Sequence, residues 1–400
     1  MKLMLAFFEP FINMSGGIEH VLCNFANAMT ERGHQVSAVY CYGENGRPTY
    51  PLSDEVKLYN VMTAIPQAWN HKNLNQTVRG MDKVIREAIR VFSRAKARDW
   101  NEKCKGKLIG PSIKKILKEE NPDIIVSFRP ETSNYLLNTV GTSIPVITMF
   151  HIDPLIILPD MPACERQAIE KSKLTQVLLK RDIAPVERYC PKAKVIVVPN
   201  AVPQYTEQAD LTKEKSVYTI INVGRLNKEQ KQQHVLIEAF AKLADDFPQW
   251  NVELWGGSDR FADSYKKELE ALIQKYHLEQ RVFLKGETRE IEKVYMKVDI
   301  FAFPSAYEGF PLAMTEAMSA GLPVVAFKSD EAVLELVTHG KDGLLAEDGP
   351  DNMAKELKKL MESRELRIKL GEAGRESMKR FSPETIWDRW EQILKKSING

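Results

Sequence analysis

The stretch Asp299-Ile300-Phe301-Ala302-Phe303-Pro304-Ser305-Ala306-Tyr307-Glu308-Gly309-Phe310-Pro311-Leu312-Ala313-Met314-Thr315-Glu316-Ala317-Met318-Ser319-Ala320-Gly321-Leu322-Pro323-Val324-Val325-Ala326-Phe327 decides the fold. It reads as an apolar strand over 299–303, a turn, a helix over 312–319, and a second apolar strand over 323–327. Continuous apolar strands joined by a helix are buried on both faces, so they belong to a parallel sheet covered by helices. The pattern extends on either side. Strands are predicted at 218–223, 250–255 and 281–284, and helices at 232–245, 262–276, 290–298 and 331–339. An earlier run has strands at 2–8, 36–40, 123–128, 145–150 and 194–198. Its first helix, 18–32, carries Ile18, Val21, Leu22, Phe25, Ala26 and Met29 on one face and stops at Gly33. Two such runs predict two doubly wound α/β domains. The boundary falls near 199–205, where Val198-Pro199-Asn200-Ala201-Val202-Pro203 breaks the alternation. The expected spans are 1–199, 200–380 and a closing helix within 381–400, opened by Ser382, Pro383 and Glu384.

A length of 400 residues suggests two to four domains at roughly 100–200 residues each. Hydrophobic residues at 44% and charged residues at 28% are ordinary globular values, which excludes a disordered, collagen-like or coiled-coil chain. A net charge of +2 argues against a dedicated nucleic-acid binder. Cys23, Cys41, Cys104, Cys164 and Cys190 are odd in number and include no Cys-x-x-Cys. That disfavours a disulfide framework or structural zinc and fits a reducing cytoplasm. The apolar start is broken by Glu9 and Pro10 with no small-residue cleavage site, so it reads as a buried strand and not a leader. No apolar run approaches the ~18 residues of a membrane span, so any membrane contact is peripheral.

One segment departs from the alternation. Residues 71–118 hold fourteen Lys and Arg against four Asp and Glu, with Val84, Ile85, Ile89 and Phe92 at helical spacing. Two readings stand about equal: a solvated helical face, or a patch that docks on anionic lipid headgroups, each cation adding ~1 kcal/mol. Nucleic acid ranks third, since aromatic residues are not interleaved.

Several residue sets carry chemistry. Glu308 sits in the turn at the carboxyl end of the 299–303 strand, where open α/β sheets bind ligands. Gly309 and Phe310 offer backbone N–H groups at a helix start, an anion site. Glu316 lies within that helix among apolar neighbours, and a carboxylate there can accept hydrogen bonds from a cis-diol. Gly224-Arg225-Leu226 and Lys231 follow the 218–223 strand, and two cations at one sheet edge suit a diphosphate. Ser15-Gly16-Gly17-Ile18 joins the first strand to the first helix; alone it reads as a tight turn. His151 follows the 145–150 strand, a position from which it can donate a hydrogen bond to a substrate, although a lone His is more often structural.

Taken together these residues resemble the retaining nucleotide-sugar glycosyltransferases of family 4, of the bacterial polysaccharide and lipid-linked glycan type. The resemblance rests on Glu308 and Glu316 with seven residues between, on Gly309-Phe310-Pro311-Leu312, and on Gly224-Arg225-Leu226 with Lys231. It also rests on Gly16-Gly17 with Glu19, on Arg32-Gly33-His34, and on Val198-Pro199-Asn200. It implies a GT-B fold, two Rossmann-like domains facing across a cleft, with the closing helix returning to the first. It implies that Arg225 and Lys231 bind the donor diphosphate, that Glu316 holds the ribose, and that Glu308, Gly309 and Phe310 contact the sugar and its phosphate. His151 would touch the sugar or departing phosphate, and backbone groups of Lys285 and Gly286 would meet the base. The implied partners are a UDP- or GDP-linked sugar and a glycan or lipid-linked acceptor. No cofactor and no metal are expected, since no Asp-x-Asp is placed to hold Mg²⁺. Two departures stand out: Gln232 follows Lys231 where a Gly is common, and Trp255-Gly256-Gly257-Ser258 replaces Gly-acid-Gly. Two other classes remain: another GT-B nucleotide-sugar enzyme such as an epimerase, which needs no acceptor, and a non-catalytic sugar-nucleotide binding subunit.

Overall fold

The computed structural model describes residues 1–14, 16–64, 80–257 and 263–399; Ser15, the 71–79 part of the basic segment and Ser258 lie outside them. The chain divides into two compact units, Met1–Asn200 together with the chain from Ile386 onward, and Ala201–Thr385.

The first unit is built on a parallel sheet of β1 (Lys2–Phe7), β2 (Gln35–Tyr40), β3 (Lys57–Asn60), β4 (Ile124–Ser127), β5 (Val146–Met149), β6 (Leu174–Val177) and β7 (Val195–Val197). Its order is β3-β2-β1-β4-β5-β6-β7, so the winding reverses between β1 and β4. The strands are apolar and buried on both sides: Leu3 to Phe7 and Ile124 to Val126 are almost fully covered. The helix Gly17–Glu31 packs its Phe25 edge-on to Trp387 (5.4 Å) and Trp390 (5.0 Å) of the last helix, Pro383–Asn399. His34 with Glu391 (2.9 Å) and Arg32 with Asp388 (3.1 Å) flank that contact.

The second unit has β8 (Tyr218–Val223), β9 (Trp250–Trp255), β10 (Val282–Gly286), β11 (Ile300–Phe303), β12 (Val324–Phe327) and β13 (Leu344–Ala346), all parallel, in the order β10-β9-β8-β11-β12-β13. Its reversal lies between β8 and β11, which the Asn222 amide ties together by donating to the Ala302 carbonyl (2.8 Å). Both units are therefore doubly wound, and in each the reversal point opens a crevice at the strands' carboxyl ends.

Three strands escape the sequence pattern. β3 is a four-residue edge strand, half-exposed, with no apolar run. β6 reads Leu-Thr-Gln-Val, yet Thr175 and Gln176 are fully buried because the Gln176 amide donates to the Val198 carbonyl (2.6 Å). β13 is three residues long. Three predicted helices are shorter than expected: 232–245 narrows to Gln233–Ala241, 290–298 to Ile291–Tyr295, and 331–339 to Glu331–Leu336. Among the described residues no helix is long and apolar enough to cross a membrane.

Candidate active site

In the second unit, β8 ends at Val223 and its pairing with β9 continues into the following turn: Gly224 N–H donates to Trp255 O and Leu226 N–H to Gly257 O, both 2.9 Å. The two turns touch so closely that a Cβ on Gly256, at φ +146°, would lie 2.0 Å from the Gly224 carbonyl oxygen. The Trp255-Gly256-Gly257 variant thus keeps its glycine where the backbones meet.

The turn after Leu226 is organised by Asn227. Its carbonyl accepts from the N–H groups of Lys231 and Gln232, each at 3.0 Å, and its side chain accepts from Gln230 N–H (2.7 Å). Gln232 closes the turn in the left-handed region, φ +48° and ψ +42°. The departure from the common Gly is therefore a matter of backbone conformation. Gln233, fully buried at the start of the helix Gln233–Ala241, donates to the Arg225 carbonyl (2.9 Å) and accepts from Asn227 N–H (3.3 Å). This residue braces the loop that presents Arg225, and sequence reasoning passed over it: a Gln in a helix carries no signal of its own.

The turn delivers Lys231 to Glu308. The ammonium lies 2.5 Å from Glu308 Oε1 and 5.5 Å from the centre of the Phe303 ring, and its methylenes run across Gly224. Gln230 adds a donor to Glu308 Oε2 (3.4 Å) and to the Tyr307 carbonyl (3.3 Å). Glu308 is buried, so this is an ion pair in a restricted dielectric. Arg225 is exposed at the same strand end. Gly309, Phe310 and Pro311 lead into the helix Leu312–Ser319, with Phe310 buried edge-on to Phe381 (5.8 Å).

Glu316, partly buried in that helix, faces Tyr295, Glu292 and Tyr205. Burial pushes its carboxyl up to about 7, the Glu292 charge adds to this, and a hydrogen bond from the Tyr295 hydroxyl opposes it. A carboxyl poised there exchanges its proton near neutrality, unlike an ordinary Glu. Lys285 lies over the Trp255 ring (5.4 Å) and 3.5 Å from Glu253, while the Gly286 carbonyl, at φ +73°, accepts from Gly256 N–H (2.8 Å).

In the first unit, a cavity of about 330 Å³ opens at the reversal point. Ile18, one residue past Gly16-Gly17, lines it together with His151, Arg129, Glu131 and Glu165. His151 stacks on Phe128 (5.3 Å, 10°) and its Nε2 has no hydrogen-bond partner among the described residues. Burial, reinforced by Arg129, lowers the imidazole to about 3, so it is neutral at any ordinary pH. Gly16 accommodates the Glu19 carboxylate, which a Cβ would meet at 2.2 Å. Beneath the cavity Lys105 bridges Glu102 (2.9 Å) and Glu131 (3.1 Å), and Tyr135 donates to both. Glu165 is raised to about 8, first by burial and then by Glu131 and Glu102. Sequence reasoning found none of this network, because its members are scattered along the chain from 102 to 165. Among the described residues no cluster of His, Cys, Asp or Glu is arranged to hold a metal ion.

Comparison with known proteins gives the chain its class. Residues 204–377 match the model for glycosyl transferases group 1. An uncharacterised glycosyltransferase of Haemophilus influenzae is 27% identical over 401 residues, spanning 98% of this chain and 99% of its own length. The solved structure of TarM from S. aureus, in complex with Fondaparinux, alpha-GlcNAc-glycerol and UDP, superposes with a TM-score of 0.74 at 16% identity, covering 98% of this chain and 99% of its own. HepE from Anabaena, in complex with UDP and glucose, gives 0.72 at 18% identity over 99% of both chains. The chain has the GT-B fold, and most of its second unit is a segment that matches the glycosyl transferases group 1, which supports glycosyltransferase activity.

Proposed function

We propose that the protein transfers a hexose from a nucleotide diphosphate sugar to a glycan or lipid-linked acceptor with retention of anomeric configuration, and that no metal ion is needed on the diphosphate. The observation that carries this is the Lys231–Glu308 pair, fixed at the carboxyl ends of β8 and β11 beside Arg225. A nucleoside diphosphate leaving group gathers negative charge as the anomeric C–O bond breaks. Cations held in place before the reaction stabilise that charge without reorganisation cost. Arg225 offers a planar fork and Lys231 a point charge. Glu308 and the N–H groups of Gly309 and Phe310 orient the sugar and its phosphate, and Glu316 accepts from the ribose hydroxyls. Uridine is the favoured base, since the TarM and HepE structures both hold UDP.

Glu308 is a poor nucleophile, because its two oxygens are engaged by Lys231 and Gln230. Retention then follows same-face attack. The acceptor oxygen bonds to the anomeric carbon as the bond to the β-phosphate oxygen breaks, and the acceptor's proton passes to that phosphate oxygen. Neutral His151 can hydrogen-bond the sugar without carrying charge to it. The test is a panel of UDP- and GDP-sugars screened by thermal shift, followed by NMR of the product formed from the stabilising donor. An α-linked donor giving an α-linked product, only when acceptor is added, supports the proposal. A β-linked product or acceptor-independent conversion of the donor contradicts it.

A further inference from the structure

The helix Gly80–Phe92 buries none of its residues fully, although it is strongly amphipathic. At 100° per residue, Met81, Val84, Ala88, Val91 and Phe92 fall within an arc of about 100°, and Asp82, Lys83, Arg86, Glu87 and Arg90 fall on the opposite side. Ile85 and Ile89, at the edge of the apolar arc, are half-buried, and the helix as a whole packs against the helix Arg94–Glu120. The arc itself points outward: Met81 is 73% exposed, Val84 63%, Val91 81% and Phe92 91%. An apolar stripe normally faces a core, so a stripe turned to solvent marks a contact surface. The charge around it indicates what it meets. Lys83, Arg90, Arg94 and Lys96 are exposed around this helix and the start of the next, where Ser93 caps the second helix. Lys103, Lys107, Lys114, Lys115 and Lys118 continue the positive charge along Arg94–Glu120.

We infer that Gly80–Phe92 lies in the plane of an anionic lipid surface, with Phe92, Val91, Val84 and Met81 in the acyl boundary and the flanking cations at the headgroups. An in-plane helix needs a large moment, an apolar face and Lys or Arg beside it, and all three are present. On this inference the lipid surface is the preferred of the two readings of the basic segment. It stands independently of the sugar-transfer reading, because it uses no residue of the Lys231–Glu308 site.

The test is co-sedimentation of the full chain with phosphatidylglycerol-rich vesicles and with pure phosphatidylcholine vesicles, at low and high salt. Binding is expected to the anionic vesicles, weakening as salt rises. Phe92→Asp should reduce the partition at least ~10-fold through lost acyl contact, while Arg90→Gln should reduce it ~5-fold. Phe92→Trp should bind like the parent and show a blue-shifted emission on anionic vesicles. Because the helix contributes no fully buried residue, each variant should keep the parent's melting temperature and donor turnover. Equal binding by Phe92→Asp and the parent, or no binding to either vesicle, overturns the inference. So does a parent dimer in sedimentation velocity that Phe92→Asp dissociates while vesicle binding is unaltered, since a second copy would then be the occupant.

Discussion

Glu316 offers a quantitative handle on the donor site. Its carboxyl is raised to about 7 by burial and by Glu292, with Tyr295 opposing. At pH 6 about a tenth of the molecules carry the ionised side chain, and at pH 8 about nine-tenths. If the ionised form accepts from the ribose hydroxyls, affinity for a nucleoside diphosphate rises about tenfold across that range, or about 1.4 kcal/mol. The ligand's own phosphate ionisation contributes equally to parent and Glu316→Gln, so the ratio of their dissociation constants isolates the side chain. That ratio should be about 10–100 at pH 8, from the loss of a charge-assisted bond worth ~1.5–3 kcal/mol, and should narrow toward pH 6. Isothermal titration at three pH values reads it. A ratio that stays constant, or stays near one, refutes the ribose role. The same proton has a stability consequence. The folded state retains it between about 4.5 and 7 while the unfolded chain releases it, so this group's contribution is complete below about 4.5 and is lost as pH rises through about 7. Glu316→Gln should therefore flatten the fall in stability over that window.

Other outcomes follow from the same geometry. Lys231→Ala and Arg225→Ala should each lower saturated turnover about 10²–10³-fold, the scale of losing one group that stabilises developing charge; single-turnover kinetics check this. Gln232→Gly should stabilise the chain by about 0.5 kcal/mol by relieving the left-handed backbone, and Gln232→Val should destabilise it by about 1–2 kcal/mol, both read by urea unfolding. Trp390→Ala, which removes a ring 1% exposed against Phe25, should cost about 3–5 kcal/mol in the same assay. The pH–rate profile should show no ionisation assignable to His151 between pH 5 and 9, and His151→Ala should leave the profile's shape unaltered while lowering its height.

The sequence made much of the fold legible because parallel strands such as Ile300–Phe303 and Val324–Phe327 must be apolar on both faces, and that pattern has few alternatives. It failed where the physics is not apolar. β6 is paired on both sides yet holds Thr175 and Gln176 through hydrogen bonds, and β3 and β13 are too short to show a period. Among the site residues, Lys231 and Glu308 were legible by their positions at strand ends, and the structure brings them into contact. The raised carboxyl of Glu316 was not legible, since it arises from burial in the fold and from the charge of Glu292 on another helix. The outward stripe of Gly80–Phe92 was half legible: the period is visible in sequence, whereas its direction depends on which face the next helix covers.

The pairing of Lys231 with Glu308 is the proposed seat of the donor diphosphate. A crystal structure of the protein with UDP tests this directly. It should place the β-phosphate within hydrogen-bond distance, about 3 Å, of Lys231 Nζ, and the ribose hydroxyls against Glu316. Density for the nucleotide elsewhere, with Lys231 and Glu308 still bound only to each other, would contradict it.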